Sequence, residues 1–282
     1  MAEIVCIHGI AQELKSSESL LDEWAPSLRG GVSNAGGSID GVGIGMGFYG
    51  GLFRLSGAKG GESIPRYKPG DLEDALEIAL VQEIFDSLAP APTSSANAKG
   101  ALELARRSVA QMLQVIASAP YFGQVAQSVV IWCLKQVYRY VTDPTIRQAA
   151  RNSLIAKIGE DTRVVVAHSL GTVVAYEVLA ANPQLHVRTL VTLGSPLGIP
   201  ALLPRLDPPL LAAGDHCPAG LRHWVNIADA ADVVALHKDL GSLYGARVTD
   251  YLVHNKATMH DVEPYLTAPE TGRAVLAGLA EN

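Results

Sequence analysis

A serine at position 169 stands in the stretch Ala-His-Ser-Leu-Gly, residues 167–171, between a run of valines and an apolar helical pattern. The stretch matches the G-x-S-x-G pattern of a sharp strand-to-helix turn that presents a nucleophilic serine, with Ala167 in place of the first glycine. At such a turn the serine backbone is strained, and the residues two before and two after it pass so close that only glycine or alanine fits. We therefore predict that Ser169 is a nucleophile. The alternative is that it only caps the helix that follows.

Two backbone amides are candidates for stabilising the negative charge that develops on a carbonyl oxygen under attack. The strained turn directs the N–H of Leu170 toward that oxygen, beside the N-terminus of the new helix. In Ile-Val-Cys-Ile-His-Gly-Ile-Ala-Gln, residues 4–12, a glycine follows a buried strand and lets the backbone turn. The N–H of Ile10 can then face the serine as the second donor. His8 is left either as a structural hydrogen-bonding residue or as a core histidine without that role.

These stretches resemble the α/β-hydrolase superfamily, and within it the lipase- and esterase-like members whose first strand ends in His-Gly. Residues 4–12 are similar to their first core strand and oxyanion loop. Leu-Val-Thr-Leu-Gly-Ser-Pro-Leu-Gly-Ile-Pro, residues 190–200, is similar to the strand after the nucleophile helix and its turn. The resemblance covers most of the two ends of the chain and does not extend to residues 56–150. It implies a serine hydrolase with a Ser-Asp-His triad.

The histidine of such a triad must lie late in the chain. A serine hydroxyl needs a base to remove its proton, and the base needs an acid to hold its tautomer. In this fold the chain order is serine, acid, histidine, with the histidine in a loop after the last strand. Five of the eight histidines come too early: His8, His168, His186, His216 and His223. Of His237, His254 and His260, we favour His260, which precedes a helical C-terminal segment, with His254 as the alternative.

The acid is expected directly after an earlier strand. Residues 224–236 end a strand pattern and offer two carboxylates, Asp229 and Asp232. Related hydrolases often carry Asp-x-x-Asp-x-Val at this point, and the resemblance implies that Asp232 is the triad member while Asp229 supports the loop. Asp229 is the alternative acid, and either residue could instead be only a helix cap or a turn former.

The composition limits the partners and the compartment. A chain of 282 residues, 48% of them apolar, can bury a large core. The net charge is −6, and the lysines and arginines are scattered along the sequence. The sequence therefore shows no basic cluster that would bind the phosphate backbone of a nucleic acid. The three cysteines are too far apart for a disulfide framework or a cysteine-rich metal site, and we expect neither a metal nor a cofactor. The N-terminus lacks a signal-peptide pattern, which favours the cytoplasm.

Short β-branched runs alternate with longer helical patterns, and this alternation predicts an α/β fold. We expect a mostly parallel central sheet of about six strands, covered by helices. The expected strands are residues 4–7, about 42–50, 163–166, 187–193, 224–227 and 248–253. The expected helices before the nucleophile are residues 19–28, 71–88, 101–118, 124–140 and 145–158. We predict one domain over residues 1–282, with residues 71–141 as a helical, cap-like insertion and residues 89–100 as a loop within it.

The composition of the predicted insertion indicates which class of substrate the protein would take. Its apolar residues, from Leu102 to Leu134, recur at helical spacing, and most of them are expected to pack on one another. If some line the site, the substrate is a small-molecule or lipid ester with an apolar acyl group. The apolar window at residues 125–134 is too short for a bilayer span of about 20 residues, which leaves the membrane surface open as a partner. Two other functions stay open: a peptidase or amidase on the same triad, and a non-catalytic protein that binds a ligand or partner.

Overall fold

A parallel sheet of six strands forms the centre of the protein. The structure is a computed structural model, and it describes residues 2–54, 66–88, 108–119, 126–255 and 260–281. The strands are β1 (Ile4–Ile7), β2 (Ile44–Gly47), β3 (Val164–His168), β4 (Thr189–Leu193), β5 (His223–Asp229) and β6 (Val248–Val253). Their order across the sheet is β2-β1-β3-β4-β5-β6, and each neighbouring pair is parallel. The carboxyl ends of all six strands therefore lie at one edge.

Nine α-helices accompany the sheet within the described ranges. They are α1 (Ser17–Asn34), α2 (Ala75–Leu88), α3 (Val109–Ser118), α4 (Gln127–Thr142), α5 (Pro144–Ile155), α6 (Leu170–Ala181), α7 (Gly241–Tyr244), α8 (Val262–Thr267) and α9 (Pro269–Leu279). None of the helices in these ranges is long and apolar enough to cross a lipid bilayer.

Helices cover both faces of the sheet. Apolar residues of α1, α8 and α9 pack on one face, and those of α5 and α6 pack on the other. Every residue of β1, β3 and β4 is buried. A sheet that is covered on both sides needs apolar side chains on both sides, which is why these strands read as continuous apolar runs and not as alternating ones.

The fold class predicted from the sequence is confirmed, and several boundaries differ. The first helix is longer than predicted, because Ser16 caps it by accepting the N–H of Ser19 at 3.1 Å and it continues to Asn34. The helix expected from residue 71 begins at Ala75, since residues 69–71 form a 3₁₀ turn and the Asp74 carboxylate accepts the N–H of Leu76 at 2.8 Å. The fifth strand continues two residues beyond the predicted end, to Asp229.

Three of the helices between β2 and β3 form a separate apolar cluster. Side chains of α2, α3 and α4 pack together and against Ile199, Leu202 and Val233, which follow strands β4 and β5. This cluster therefore lies at the carboxyl edge of the sheet, where a cap-like insertion was predicted. Residues 89–107 and 120–125 are outside the described residues; they include the predicted loop, Leu102 and the first part of the helix expected at residues 101–118.

A buried carboxylate anchors the helix that follows Ser169. Glu177 on α6 is fully buried and accepts hydrogen bonds from Tyr140 Oη at 2.5 Å and from Arg151 Nη2 at 2.8 Å. The guanidinium of Arg147 also binds it. A buried charge is tolerated when it is paired and hydrogen-bonded, so this cluster fixes α6 against α4 and α5.

The order of the strands marks where a ligand would sit. After β1 the chain passes to β2 on one side, then crosses back to β3 on the other side of β1. In open α/β sheets the crevice outside such a reversal, at the carboxyl ends of the strands, is the usual ligand site. The loop after β1 and the turn after β3, which carries Ser169, flank this crevice.

Candidate active site

Ser169 stands on a strained turn between β3 and α6. Its backbone has φ 53° and ψ −131°, and it is one of two non-glycine residues with positive φ in the described chain. Such a conformation costs about 1–3 kcal/mol and is retained where the surrounding structure imposes it. Here the Ser169 amide donates to the carbonyl of Leu193 on β4 at 3.0 Å. The serine does not cap α6 with its side chain, so its hydroxyl is left for another partner.

The small residues around the serine are required by close packing. A methyl group on Gly171 would lie 2.4 Å from the carbonyl oxygen of His8 and 2.7 Å from that of Ile7. A methyl group on Gly9 would lie 2.6 Å from Ser169 Cβ. Real Cβ atoms do not approach other atoms so closely. The turn after β3 and the loop after β1 therefore touch through glycines, as the motif predicts for position 171.

The structure brings His260 to the serine. The Nε2 atom of His260 lies 2.9 Å from Ser169 Oγ, although the two residues are 91 positions apart. His260 precedes α8, after the loop that leaves β6 at the same edge of the sheet. Residues 256–259 of that loop are outside the described residues. His254, the alternative base, is exposed just after β6, and the histidine in contact with Ser169 Oγ is His260.

Asp232 completes the chain of hydrogen bonds. Its Oδ2 atom lies 2.7 Å from His260 Nδ1, while its Oδ1 atom accepts the N–H of Val234 at 2.8 Å. Burial alone would raise the pKa of this carboxyl. The charge of His260 and the hydrogen bonds from His260, Val234 and Tyr265 outweigh burial and lower the pKa of Asp232 to about 2. Asp232 is thus an ionised acceptor that keeps the proton of His260 on Nδ1, leaving Nε2 to accept from Ser169.

Asp229, the alternative acid, has a different set of partners. Its Oδ1 atom accepts the N–H of Ala231 at 2.7 Å, and its Oδ2 atom accepts the N–H of Asn255. The carboxylate therefore joins the ends of β5 and β6 and shapes the turn that presents Asp232.

Tyr265 was not singled out from the sequence. Its hydroxyl donates to Asp232 Oδ2 at 2.8 Å and accepts the N–H of Asp229 at 2.7 Å. Burial and the charge of Asp232 raise the pKa of this phenol, so it stays protonated and remains a donor. The only signal in the sequence was its place five residues after His260, in an apolar helix where a tyrosine is an ordinary core residue.

His168, excluded as the base because it comes too early in the chain, holds the loop that carries His260. Its Nε2 atom lies 2.8 Å from the backbone carbonyl oxygen of His260, and the two rings are 4.7 Å apart. Burial and the neighbouring His260 lower the pKa of His168 to about 3, against a weaker raising effect of Asp232. A neutral imidazole that donates from Nε2 fits this contact.

The loop after β1 presents Ile10 beside the serine, and His8 fixes its orientation. His8 Nε2 accepts the N–H groups of Tyr49 at 3.1 Å and Gly50 at 3.3 Å, so the ring proton is on Nδ1. Nδ1 donates to the Gly9 carbonyl at 2.7 Å. In a trans peptide the C=O and N–H point in opposite directions. Holding the Gly9 carbonyl therefore holds the N–H of Ile10 on the other side, and gives His8 a structural hydrogen-bonding role.

The amides of Ile10 and Leu170 are the two predicted oxyanion donors. Among the described residues, neither amide donates a hydrogen bond to another protein group. Both residues line the same cavity as Ser169 and His260. Leu170 is also the first residue of α6, where the partial positive charge of the helix N-terminus adds to the attraction for an anion.

An apolar cavity of about 960 Å³ opens onto the serine and histidine. Most of its wall is aliphatic and comes from α1, α2, α4 and the segment after β4: Leu20, Leu80, Ile84, Val129, Val130, Leu134, Val137, Ile199 and Leu202. Cys133 also lines it, and burial raises the pKa of this thiol to about 12, so it is not a competing nucleophile at neutral pH. The insertion thus supplies one wall of the space above Ser169.

The chain matches no family model, no curated protein and no solved structure, so the interpretation of the site rests on its own geometry.

The two buried histidines predict how stability depends on pH. Burial is the main cause that lowers the pKa from 6.5 to about 4 for His8 and to about 3 for His168. Below pH 6.5 the unfolded chain therefore binds protons that the folded protein does not, and the free energy of unfolding falls with decreasing pH. Each histidine contributes a slope of about 1.4 kcal/mol per pH unit between its two pKa values. Urea unfolding of wild type and His168→Gln between pH 6 and pH 4 measures this slope.

The variant keeps a side-chain donor for the His260 carbonyl and lacks the titrating group. We expect its stability to vary less steeply with pH, by about one proton equivalent. Parallel pH profiles for the two proteins would show that His168 is not held neutral in the folded state.

Proposed function

We propose that this protein is a serine hydrolase of the α/β-hydrolase type that cleaves carboxylic esters. The observation that carries the proposal is a continuous chain of hydrogen bonds: Ser169 Oγ lies 2.9 Å from His260 Nε2, and His260 Nδ1 lies 2.7 Å from Asp232 Oδ2. A strained serine, a base that can accept its proton and an acid that holds the base are the three parts of an activated nucleophile. The six-stranded parallel sheet supports the same assignment.

In the first half-reaction Ser169 Oγ attacks the ester carbonyl carbon and passes its proton to His260 Nε2. The ionised Asp232 stabilises the imidazolium that forms. The carbonyl oxygen becomes negatively charged, and the N–H groups of Ile10 and Leu170 donate to it. The tetrahedral intermediate then collapses: the bond to the leaving oxygen breaks, His260 returns the proton to the departing alcohol, and the acyl group stays on Ser169.

In the second half-reaction water takes the place of the alcohol. His260 Nε2 removes a proton from the water as it attacks the acyl carbon, and the same two amides stabilise the second tetrahedral intermediate. The carboxylic acid leaves as His260 returns the proton to Ser169 Oγ. No redox step and no second protein nucleophile is needed.

The cavity indicates the acyl group. A wall that is mostly aliphatic offers few polar partners to a peptide or a sugar, whereas each buried methylene of an acyl chain contributes about 0.8 kcal/mol. The structure therefore favours an ester with an apolar acyl portion, such as a small-molecule or lipid ester. A cleavable amide in the same cavity is the alternative that the assay must separate.

Turnover of p-nitrophenyl esters from acetate to laurate tests the proposal. We expect kcat/KM to rise with acyl length by at least about tenfold before it levels off, because the longer chains bury more methylenes. The variant Cys133→Phe places a ring in the cavity wall. Compared with wild type, it should have a lower kcat/KM for the long esters and an unchanged kcat/KM for the acetate ester. A flat profile in wild type would contradict the apolar acyl site, and turnover of anilides at the same rate as esters would favour the amidase.

A further inference from the structure

A glutamine of the insertion reaches the loop that carries the Ile10 amide. Gln136 lies on α4 and is 3% exposed, and its Oε1 atom accepts the N–H of Ala11 at 3.2 Å. The two residues are 125 positions apart in the chain. This hydrogen bond joins the helical insertion to the residue directly after Ile10.

The backbone at Ala11 needs such a partner. Ala11 has φ 62°, and it is the other non-glycine residue with positive φ in the described chain. A left-handed conformation costs an L-residue about 1–2 kcal/mol, so a loop without restraints would relax out of it. The hydrogen bond to Gln136 supplies a restraint at the N–H of this residue.

The restraint acts on the direction of the Ile10 N–H. The peptide plane before Ile10 is held by His8, which donates to the Gly9 carbonyl at 2.7 Å. The plane after Ile10 is held at its N–H by Gln136 at 3.2 Å and at its carbonyl by Gln12 Nε2 at 3.3 Å. Because peptide units are planar, fixing two successive planes fixes both backbone dihedrals of Ile10. The direction of its N–H then no longer depends on the loop alone.

At position 136, a glutamine stabilises the fold less than an apolar side chain of similar size would. Its Nε2 atom is buried and has no hydrogen-bond partner among the described residues. A buried donor without a partner costs about 1–3 kcal/mol, whereas an apolar side chain of similar size carries no such cost. The bond that Oε1 accepts is therefore the feature that a glutamine provides here and a methionine does not.

We propose that Gln136 is a positioning residue for the oxyanion hole: through Ala11 it keeps the Ile10 N–H directed at the developing oxyanion. The inference rests on the proposed ester hydrolysis. It gives the insertion a second role, because α4 then controls the chemistry as well as the walls of the cavity.

The test compares kcat and KM of two variants at position 136 with wild type, on one p-nitrophenyl ester. Gln136→Met keeps the length of the side chain and removes the acceptor. We expect kcat to fall about tenfold, less than the 10²–10³ that follows loss of a whole oxyanion donor. KM should stay within about twofold, since the lost interaction belongs to the transition state. Gln136→Glu keeps the acceptor oxygen and puts a second oxygen in place of the unpartnered NH₂. Burial favours the neutral form of this carboxyl, so at the acid end of the assay range the variant should keep kcat within about threefold of wild type.

Tyr138→Phe is the control on the same helix. It removes a 3.3 Å hydrogen bond from Tyr138 Oη to Asp74 that lies within the insertion and does not involve the loop after β1. We expect wild-type kcat from this variant. Gln136→Asn, whose shorter side chain withdraws the acceptor but stays polar, serves if the methionine variant does not fold, and it should lose kcat in the same way.

The outcomes are distinguishable. Wild-type kcat in Gln136→Met or Gln136→Asn, or equal losses in the methionine and glutamate variants, would overturn the positioning role and leave the proposed function standing. A folded wild type that turns over no ester and resists phosphonylation by a fluorophosphonate would overturn the proposed function itself.

Discussion

Ser169→Ala is expected to abolish ester hydrolysis, with kcat lower by about 10⁶-fold, the loss that removal of a serine nucleophile causes in enzymes of this chemistry. The alanine keeps Cβ and loses only the oxygen that lies 2.9 Å from His260 Nε2. His260 and Asp232 remain paired through their own hydrogen bond, so the fold should persist. The measurement is initial-rate kinetics on a p-nitrophenyl ester, with thermal unfolding of the same preparation.

Ser195→Ala is the matched control for that substitution. Ser195 is also buried; its Oγ lies 2.8 Å from Thr172 Oγ1 on α6 and accepts the N–H of Leu197 at 3.2 Å. Its loss should cost about 1 kcal/mol of stability and leave kcat close to wild type. If Ser169→Ala kept a tenth or more of wild-type turnover, the nucleophile would have to be another residue.

Asp232→Asn is expected to lower kcat by about 10⁴-fold without unfolding the protein, the effect known for the same change in a Ser-His-Asp triad. The reason lies in the two oxygens of Asp232. Oδ1 accepts the N–H of Val234 at 2.8 Å, so the amide oxygen of an asparagine must take that place. Its NH₂ group then occupies the place of Oδ2 and faces His260 Nδ1. A donor at that point forces the ring proton onto Nε2, which can no longer accept from Ser169.

Asp229→Asn separates this effect from a general disturbance of the loop. Asp229 is 2% exposed, and its carboxylate binds the backbone of Ala231 and Asn255 and not His260. An asparagine loses one of those bonds, at a cost of about 1–3 kcal/mol in stability. We expect kcat within about tenfold of wild type. A larger loss of kcat from Asp229→Asn than from Asp232→Asn would exchange the roles of the two residues.

The sheet could be predicted from the sequence because its signals are local. Runs such as Val164–His168 are apolar on both faces, which indicates a strand covered on both sides, and the helices between them repeat at helical spacing. The ends of helices were less predictable because caps and packing decide them. The helix α2 begins at Ala75, four residues after the predicted position, and α1 continues through Gly30 and Gly31, where it packs against Leu266 and Thr267.

The candidate catalytic residues at the ends of strands could also be predicted from the sequence. Ser169 follows β3, Asp229 ends β5 and Asp232 comes just after it, and parallel strands bring their carboxyl ends to one edge. The residues that position these side chains could not be predicted in this way. Gln136 and Tyr265 lie in helices where their types carry no motif, and their partners are distant in the chain, 125 positions away for Gln136. Only the packing of α4 over the loop after β1, and of α8 beneath Asp232, gives them their contacts.

Reaction of the whole protein with a fluorophosphonate, followed by peptide mass spectrometry, tests the central claim most directly. The reagent phosphonylates only an activated serine or a residue with equal nucleophilicity, and fluoride leaves. In the proposed mechanism the amides of Ile10 and Leu170 stabilise the negatively charged oxygen on phosphorus during this reaction. We predict one adduct per chain, on Ser169, absent from Ser169→Ala and slowed strongly in Asp232→Asn. A correctly folded protein that gives no adduct, or gives it on another residue, would contradict the account.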